Sequence, residues 1–145
     1  MKRIAIFVLA IVLLLSSFAL TSCDEEMSAI ERISASVEEM GYVKQSEEKA
    51  KDAFYDVLVR QMQSGAGFSQ ETFEKMFGED TPHLWEKEDG KRVVVLEFKE
   101  RSKISLWKYG TRDADLTRLE NEGQVFENCY IETNDIEVLN LIKSL

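Results

Sequence analysis

An unbroken apolar run from Ile4 to Leu15, preceded by Lys2 and Arg3 and followed by Ser16 and Ser17, sets the N-terminus apart from whatever the rest of the chain folds into. Charge, then an apolar stretch, then small residues is the order of an export signal. As a helix, Ile4 to Leu20 spans roughly 26 Å at about 1.5 Å per residue, short of the ~30 Å hydrocarbon core that a retained transmembrane helix must cross. The run carries no amphipathic stripe, so it does not read as a helix of a globular core either.

The run leads into Leu20-Thr21-Ser22-Cys23. These residues resemble the lipobox of bacterial lipoproteins, in which a branched apolar residue and two small ones precede an obligatory cysteine. The resemblance implies that residues 1–22 are a lipoprotein signal peptide, cut after Ser22, and that Cys23 is the lipid attachment residue. The residue types suit that chemistry: a thiol takes up the diacylglyceryl group, and small side chains let a membrane peptidase reach the backbone. Two or three acyl chains such as palmitate would follow. Each buried methylene contributes about 0.8 kcal/mol, so one chain is marginal and two hold firmly. The expected partner is therefore a membrane of the bacterial cell envelope, reached through lipid.

Residues 23–28 form a short acidic tether containing Asp24, Glu25 and Glu26. An aspartate directly after the cysteine resembles an inner-membrane retention mark of enteric bacteria. An acidic run at the same place resembles a surface-export mark of Bacteroidetes-type cells. Both readings stay open, as inner or outer membrane.

Loss of 22 of the 145 residues leaves 123, enough for one domain with a core, expected over 29–145. Loss of Lys2 and Arg3 takes the formal charge from −9 to −11. Such acidity argues against nucleic acid and against charge-driven binding to anionic headgroups. With Cys23 committed to lipid, Cys129 has no partner thiol in the chain; it reads as a small buried hydrophobe, with a reactive thiol or an intermolecular disulfide as the alternative.

The domain reads as α+β, with N-terminal helices packed on a small antiparallel sheet and a C-terminal helix. Ile30, Ile33, Val37 and Met40 recur at helical spacing, and Gly41 stands where a left-handed cap ends the helix. Ser46 is placed to cap a second helix that buries Ala50, Ala53, Phe54, Val57, Leu58 and Met62. Ser69 reads as the cap of a short third helix, stapled by Phe68 and Phe73 and closed by Gly78. Glu88-Asp89-Gly90-Lys91 predicts a two-residue hairpin turn, setting Trp85 opposite Val94 and Leu84 opposite Val95. Trp85, Val94, Leu96 and Phe98 would then share the core face. If Ile104 to Tyr109 returns as a third strand, Trp107 and Tyr109 join that face. Leu84, Val93, Val95, Ile104 and Leu106 fall on the other, which needs a cover or a partner. Residues 110–123 read as a loop or a poor helix, and 124–131 as a strand of imperfect alternation. Asn134, with Glu137 three residues later, caps a helix carrying Ile136, Leu139 and Ile142.

The stretch from Gly67 to Gly78, with Phe68, Ser69, Phe73, Met76 and Phe77 between, resembles the capped helix of the SmpA/OmlA small lipoproteins. In that family the helix leads into an aromatic-bearing antiparallel sheet, as residues 67–98 are patterned to do, and the β-lactamase-inhibitor-like fold shares the plan. The resemblance implies an accessory role in outer-membrane barrel assembly. A family proline two residues beyond the second glycine is replaced here by Asp80.

No enzymatic constellation is visible, and the expectation is that the chain is not an enzyme, with no cofactor and no metal. His83 is the only histidine, so double-histidine acid-base schemes and His-rich zinc motifs are excluded; it reads as a satisfied residue at the edge of the core face. Asp113-Ala114-Asp115 opens like a calcium loop, but Arg118 stands where glycine is needed and Gln124 where a glutamate ligand belongs, so a loop is expected. Glu38-Glu39 and Glu47-Glu48 read as solvated. Trp85, Trp107 and Tyr109 read as core rather than as a ligand groove. Two functions from different classes follow. One is a binding or scaffold module of the cell envelope with a protein partner on the sheet face that helices leave bare; the other is an acidic inhibitor or immunity-like protein that blocks a basic enzyme cleft.

Overall fold

The structure is a computed structural model that describes residues 26–62, 71, 75, 78–107 and 113–145. Helix α1, Ala29–Glu39, starts on a capping box in which Ser28 Oγ accepts from Glu31 N–H and the Glu31 carboxylate accepts from Ser28 N–H. Its apolar stripe buries Ala29, Ile33 and Val37. Gly41 N–H donates to the Glu38 carbonyl and Tyr42 N–H to that of Val37, a Schellman ending that turns Tyr42 inward beside Val37. A two-residue strand β1, Val43–Lys44, follows. Helix α2, Glu47–Met62, begins where Ser46 Oγ accepts from Lys49 N–H, and it buries Ala50, Ala53, Phe54 and Val57. Ser69, Phe73 and most of the expected third helix lie outside the described residues; Glu71 and Lys75 are helical and paired at 3.1 Å.

Strands β2 (Thr81–Glu86), β3 (Arg92–Glu97), β4 (Val125–Phe126) and β5 (Cys129–Thr133) join β1 in one antiparallel sheet of order β1-β2-β3-β5-β4. The β2–β3 hairpin corrects the expected register. Lys87 N–H donates to Lys91 O and Gly90 N–H to Lys87 O, so the loop holds three residues, not two. Gly90 alone in the loop has a positive φ, +81°. That is a three-residue loop with a left-handed glycine forming a bulge, whereas the expected two-residue type needs positive φ at both central positions. An odd loop shifts the pairing by one residue: Trp85 lies opposite Val93 and Leu84 opposite Val94. Trp85 therefore shares its face with Val93 and Val95, not with Val94, Leu96 and Phe98.

Both faces are buried. On one side Leu84, Val94, Leu96, Phe98, Val125 and Tyr130 pack with α2. On the other, Trp85, Val93, Val95, Cys129 and Ile131 pack with α1 and the C-terminal helix. The face expected to need a cover has one, so no broad sheet face is left bare for a partner among the described residues. The expected third strand is also corrected. Lys103–Trp107 forms a short helix, α3, whose Ile104 seals the α2 side of the sheet; Tyr109 lies outside the described residues. Asp113–Asn121 is helix α4, bringing Leu116 and Leu119 to the same side.

Gly123 ends α4 at φ +76°, where an added Cβ would stand 2.2 Å from the Leu139 carbonyl oxygen. Only glycine lets these segments approach that closely. The C-terminal helix α5, Ile136–Ile142, is capped by Asp135 rather than Asn134; Asn134 Oδ1 instead accepts from Arg92 N–H at 3.0 Å. The chain is thus α+β, with helices before and after the sheet strands and on both faces.

Two cores on opposite faces of one sheet predict two separable losses. Phe98→Ala should cost about 3 to 5 kcal/mol by emptying a buried aromatic site. Val93→Thr should cost about 1 to 3 kcal/mol, because it places a hydroxyl without a partner in the other core. Urea unfolding of both variants and of the double mutant checks this, with near-additive losses expected for opposite faces.

Candidate functional site

Cys23, the lipid attachment residue expected from the sequence, lies outside the described residues. Glu26, Met27 and Ser28 are exposed and lead straight into the capping box of α1. One turn into that helix, Arg32 Nη1 donates to Glu127 Oε1 at 3.0 Å, Nη2 donates to the Leu145 main-chain oxygen, and the guanidinium lies 4.7 Å over the Phe126 ring. Glu127 is in the two-residue β4–β5 turn at φ +50°, a conformation that side chains rarely adopt. Arg101 Nη1 donates to the Glu127 carbonyl and Asn128 Nδ2 to that of Phe98, at 3.2 and 2.8 Å. The N-terminal end of α1, the β4–β5 turn and Leu145 therefore form one end of the domain.

The opposite end is built around Asp135. Its side chain is almost wholly buried: Oδ2 accepts from Tyr42 Oη at 2.7 Å and pairs with Lys91 Nζ at 3.1 Å, while Oδ1 accepts from Glu137 N–H. Burial raises the Asp135 pKa, but Tyr42, Lys91 and the Glu137 N–H outweigh it and hold the carboxyl below its usual range. Burial, and then the Asp135 carboxylate, push the Tyr42 hydroxyl well above the usual phenol range. Beside this knot, Met40, Val43, Gln45, Glu86, Glu88 and Asp89 line an open groove of about 650 Å³. Val43 is 63% exposed on the edge strand there. Three carboxylates against Lys87 make the groove acidic.

The sheet also aligns three chemically capable side chains. His83 on β2, Glu97 on β3 and Cys129 on β5 point to the α1 side, and His83 Nε2 lies 2.9 Å from Glu97 Oε2. Their order rules out a nucleophile–base pair, since Glu97 stands on the strand between the thiol and the imidazole. Burial, with Glu97 and Glu127 adding to it, pushes the Cys129 thiol up to about 12, so it is an inert core sulfur. Burial also lowers the His83 pKa, partly opposed by Glu97. With its ring stacked on Trp85 at 5.9 Å, His83 is a satisfied residue at the core edge.

The remaining sequence-derived candidates scatter. Asp113-Ala114-Asp115 begins helix α4 and is not the expected loop. Trp85 is fully buried in the core, as expected, while the Trp107 side chain and Tyr109 lie outside the described residues. Glu38 is exposed, as expected, and also accepts from the Trp85 indole at 3.1 Å. Asp80 accepts from Lys99 N–H at 2.8 Å and has Lys103 Nζ 3.7 Å away. Sequence reasoning missed Asp135 and Arg32, whose partners Tyr42, Lys91, Glu127 and Leu145 are all distant in sequence and leave no local pattern. Among the described residues no group of three metal-capable side chains occurs, and no helix is long and apolar enough to cross a membrane. No family model matches the chain, and neither a curated protein nor a solved structure matches it.

Asp135→Ala should destabilise the domain by about 2 to 4 kcal/mol, combining a lost helix cap with a stranded Tyr42 hydroxyl. Because the folded pKa is depressed, the ionised carboxylate's contribution is full above the unfolded value of about 4 and is lost as pH falls through the folded value. Denaturant unfolding of wild type and Asp135→Asn should show a gap at pH 7 that narrows below about pH 4.

Proposed function

We propose that the chain is a lipid-anchored protein of the bacterial cell envelope whose α+β domain acts as a binding or scaffold module. The setting that the Gly67 to Gly78 resemblance suggests is accessory work in outer-membrane protein assembly. The observation that carries the proposal is Leu20-Thr21-Ser22-Cys23 standing directly behind an export-type segment, with a capped helix beginning at Ala29. A thiol at that place is the acceptor that lipid attachment needs, and the interval to the fold is a tether with no room for another domain. An anchored domain needs no catalytic centre to be useful: lipid confines it to the membrane plane and raises its effective concentration toward anything else held there.

A second reading, an acidic inhibitor or immunity-like protein, is favoured by the −11 charge left after signal removal and by Glu86, Glu88 and Asp89 around the groove. Salt separates the two. A partner captured from the source membranes and retained as salt rises supports the scaffold, and one released steeply by salt supports the inhibitor.

Cys23→Ala removes the lipid acceptor. Intact-mass measurement of the wild-type protein should show a chain beginning at Cys23 with added acyl mass, and none on Cys129. The variant should carry no acyl mass and should not be cut after Ser22. An unmodified mature N-terminus at another residue of the wild type would overturn the proposal.

A further inference from the structure

The length of chain between Cys23 and the fold fixes which end of the domain can approach the bilayer. Ser28 is held by its capping box, so the free tether is five residue steps, Cys23 to Ser28. Fully extended at about 3.6 Å per step, it reaches at most ~18 Å. It leaves the domain at the α1 N-terminus, which Arg32 ties to Glu127 in the β4–β5 turn and to Leu145. The β2–β3 loop is at the other end of the strands, since Glu97 pairs with Cys129 next to that turn and Arg92 pairs with Glu86 next to the loop. The six residues of β3 separate the two ends by roughly 17 to 20 Å at about 3.3 Å each, before loops and side chains are added. Only with the loops and side chains added does the separation exceed the tether's reach of ~18 Å, so the tether falls short of passing back along the sheet to bring the loop end to the lipid.

We infer that the end carrying the β4–β5 turn and Leu145 rests on the lipid headgroups, and that the β2–β3 loop with its acidic groove points into the aqueous space. The inference rests on the lipid-anchor reading of Cys23. One exposed apolar side chain agrees with it: Met27, 51% exposed beside the start of α1, suits the headgroup layer. The guanidinium groups of Arg32 and Arg101 at that end are already paired with Glu127 and Glu120.

The test uses the full lipidated protein in phosphatidylcholine vesicles whose headgroups carry a nitroxide quencher. A fluorophore is attached at Ser144→Cys in one sample and at Glu88→Cys in the other. Both parent residues are exposed, while Cys129 is buried and does not compete for label. Quenching at position 144 should exceed that at 88 by several-fold. Acyl mass on Cys23 with equal or reversed quenching would overturn the orientation alone. Absence of acyl mass on Cys23 would overturn the anchor and the orientation with it.

Discussion

Strand β3 has no side that faces water, and the rest of the domain is arranged around that constraint. Val93 and Val95 pack into one core and Val94 and Leu96 into the other, all four nearly inaccessible. Two-sided burial in an antiparallel sheet requires a helix layer on each face, because such sheets otherwise leave one face in water. The chain meets the requirement by splitting its helices: α1 and α5 on one side, α2, α3 and α4 on the other. The three-residue loop ending at Gly90 decides which valine meets which layer. One residue more or less would send every side chain of β3 to the opposite core.

The same arrangement determines what a partner can reach. With both faces occupied, the contact surfaces left are the sheet edges, the helix exteriors and the two ends. Charge-assisted contacts organise those ends, with Arg32 tying α1 to the β4–β5 turn at one and Asp135 tying Tyr42 and Lys91 to α5 at the other. On the proposed lipid-anchor reading, orientation would pass through Ser28 into α1, which Ile33 and Val37 in the core and Arg32 at the β4–β5 turn fix against the sheet.

Much of the helical layer was legible in the residues. Ser46, Gly41 and the apolar stripes of α1 and α2 carry capping and periodicity signals that depend on neighbours only a few positions away. The hairpin's place was legible as well, but its loop type was not: Asp-Gly serves both a two-residue turn and a three-residue loop with a glycine bulge, and only the Lys87 to Lys91 bond distinguishes them. Ile104 and Leu106 alternate as a strand would, and a five-residue helix is too short to show a 3.6-residue period against that pattern. Helix α4 hid behind a polar composition, with Leu116 and Leu119 as its sparse apolar stripe and an Arg118–Glu122 pair on its surface. The polar contacts that hold each of the two ends together could not be read, since Asp135, Tyr42 and Lys91 at one end and Arg32 and Glu127 at the other meet only after the sheet has formed.

The central claim is that consecutive valines of β3 belong to different cores, and methyl nuclear Overhauser contacts in isotopically labelled protein test it most directly. The account predicts contacts from Val94 methyls to Phe54 and Val57 of α2, and from Val93 methyls to side chains of α1 or α5 such as Ile33 and Val138. Contacts from Val94 to α1 or α5 together with contacts from Val93 to α2 would show the register shifted by one residue. Exposure of either set of methyls to solvent, with no helix contact, would contradict the two-sided burial on which the architecture rests.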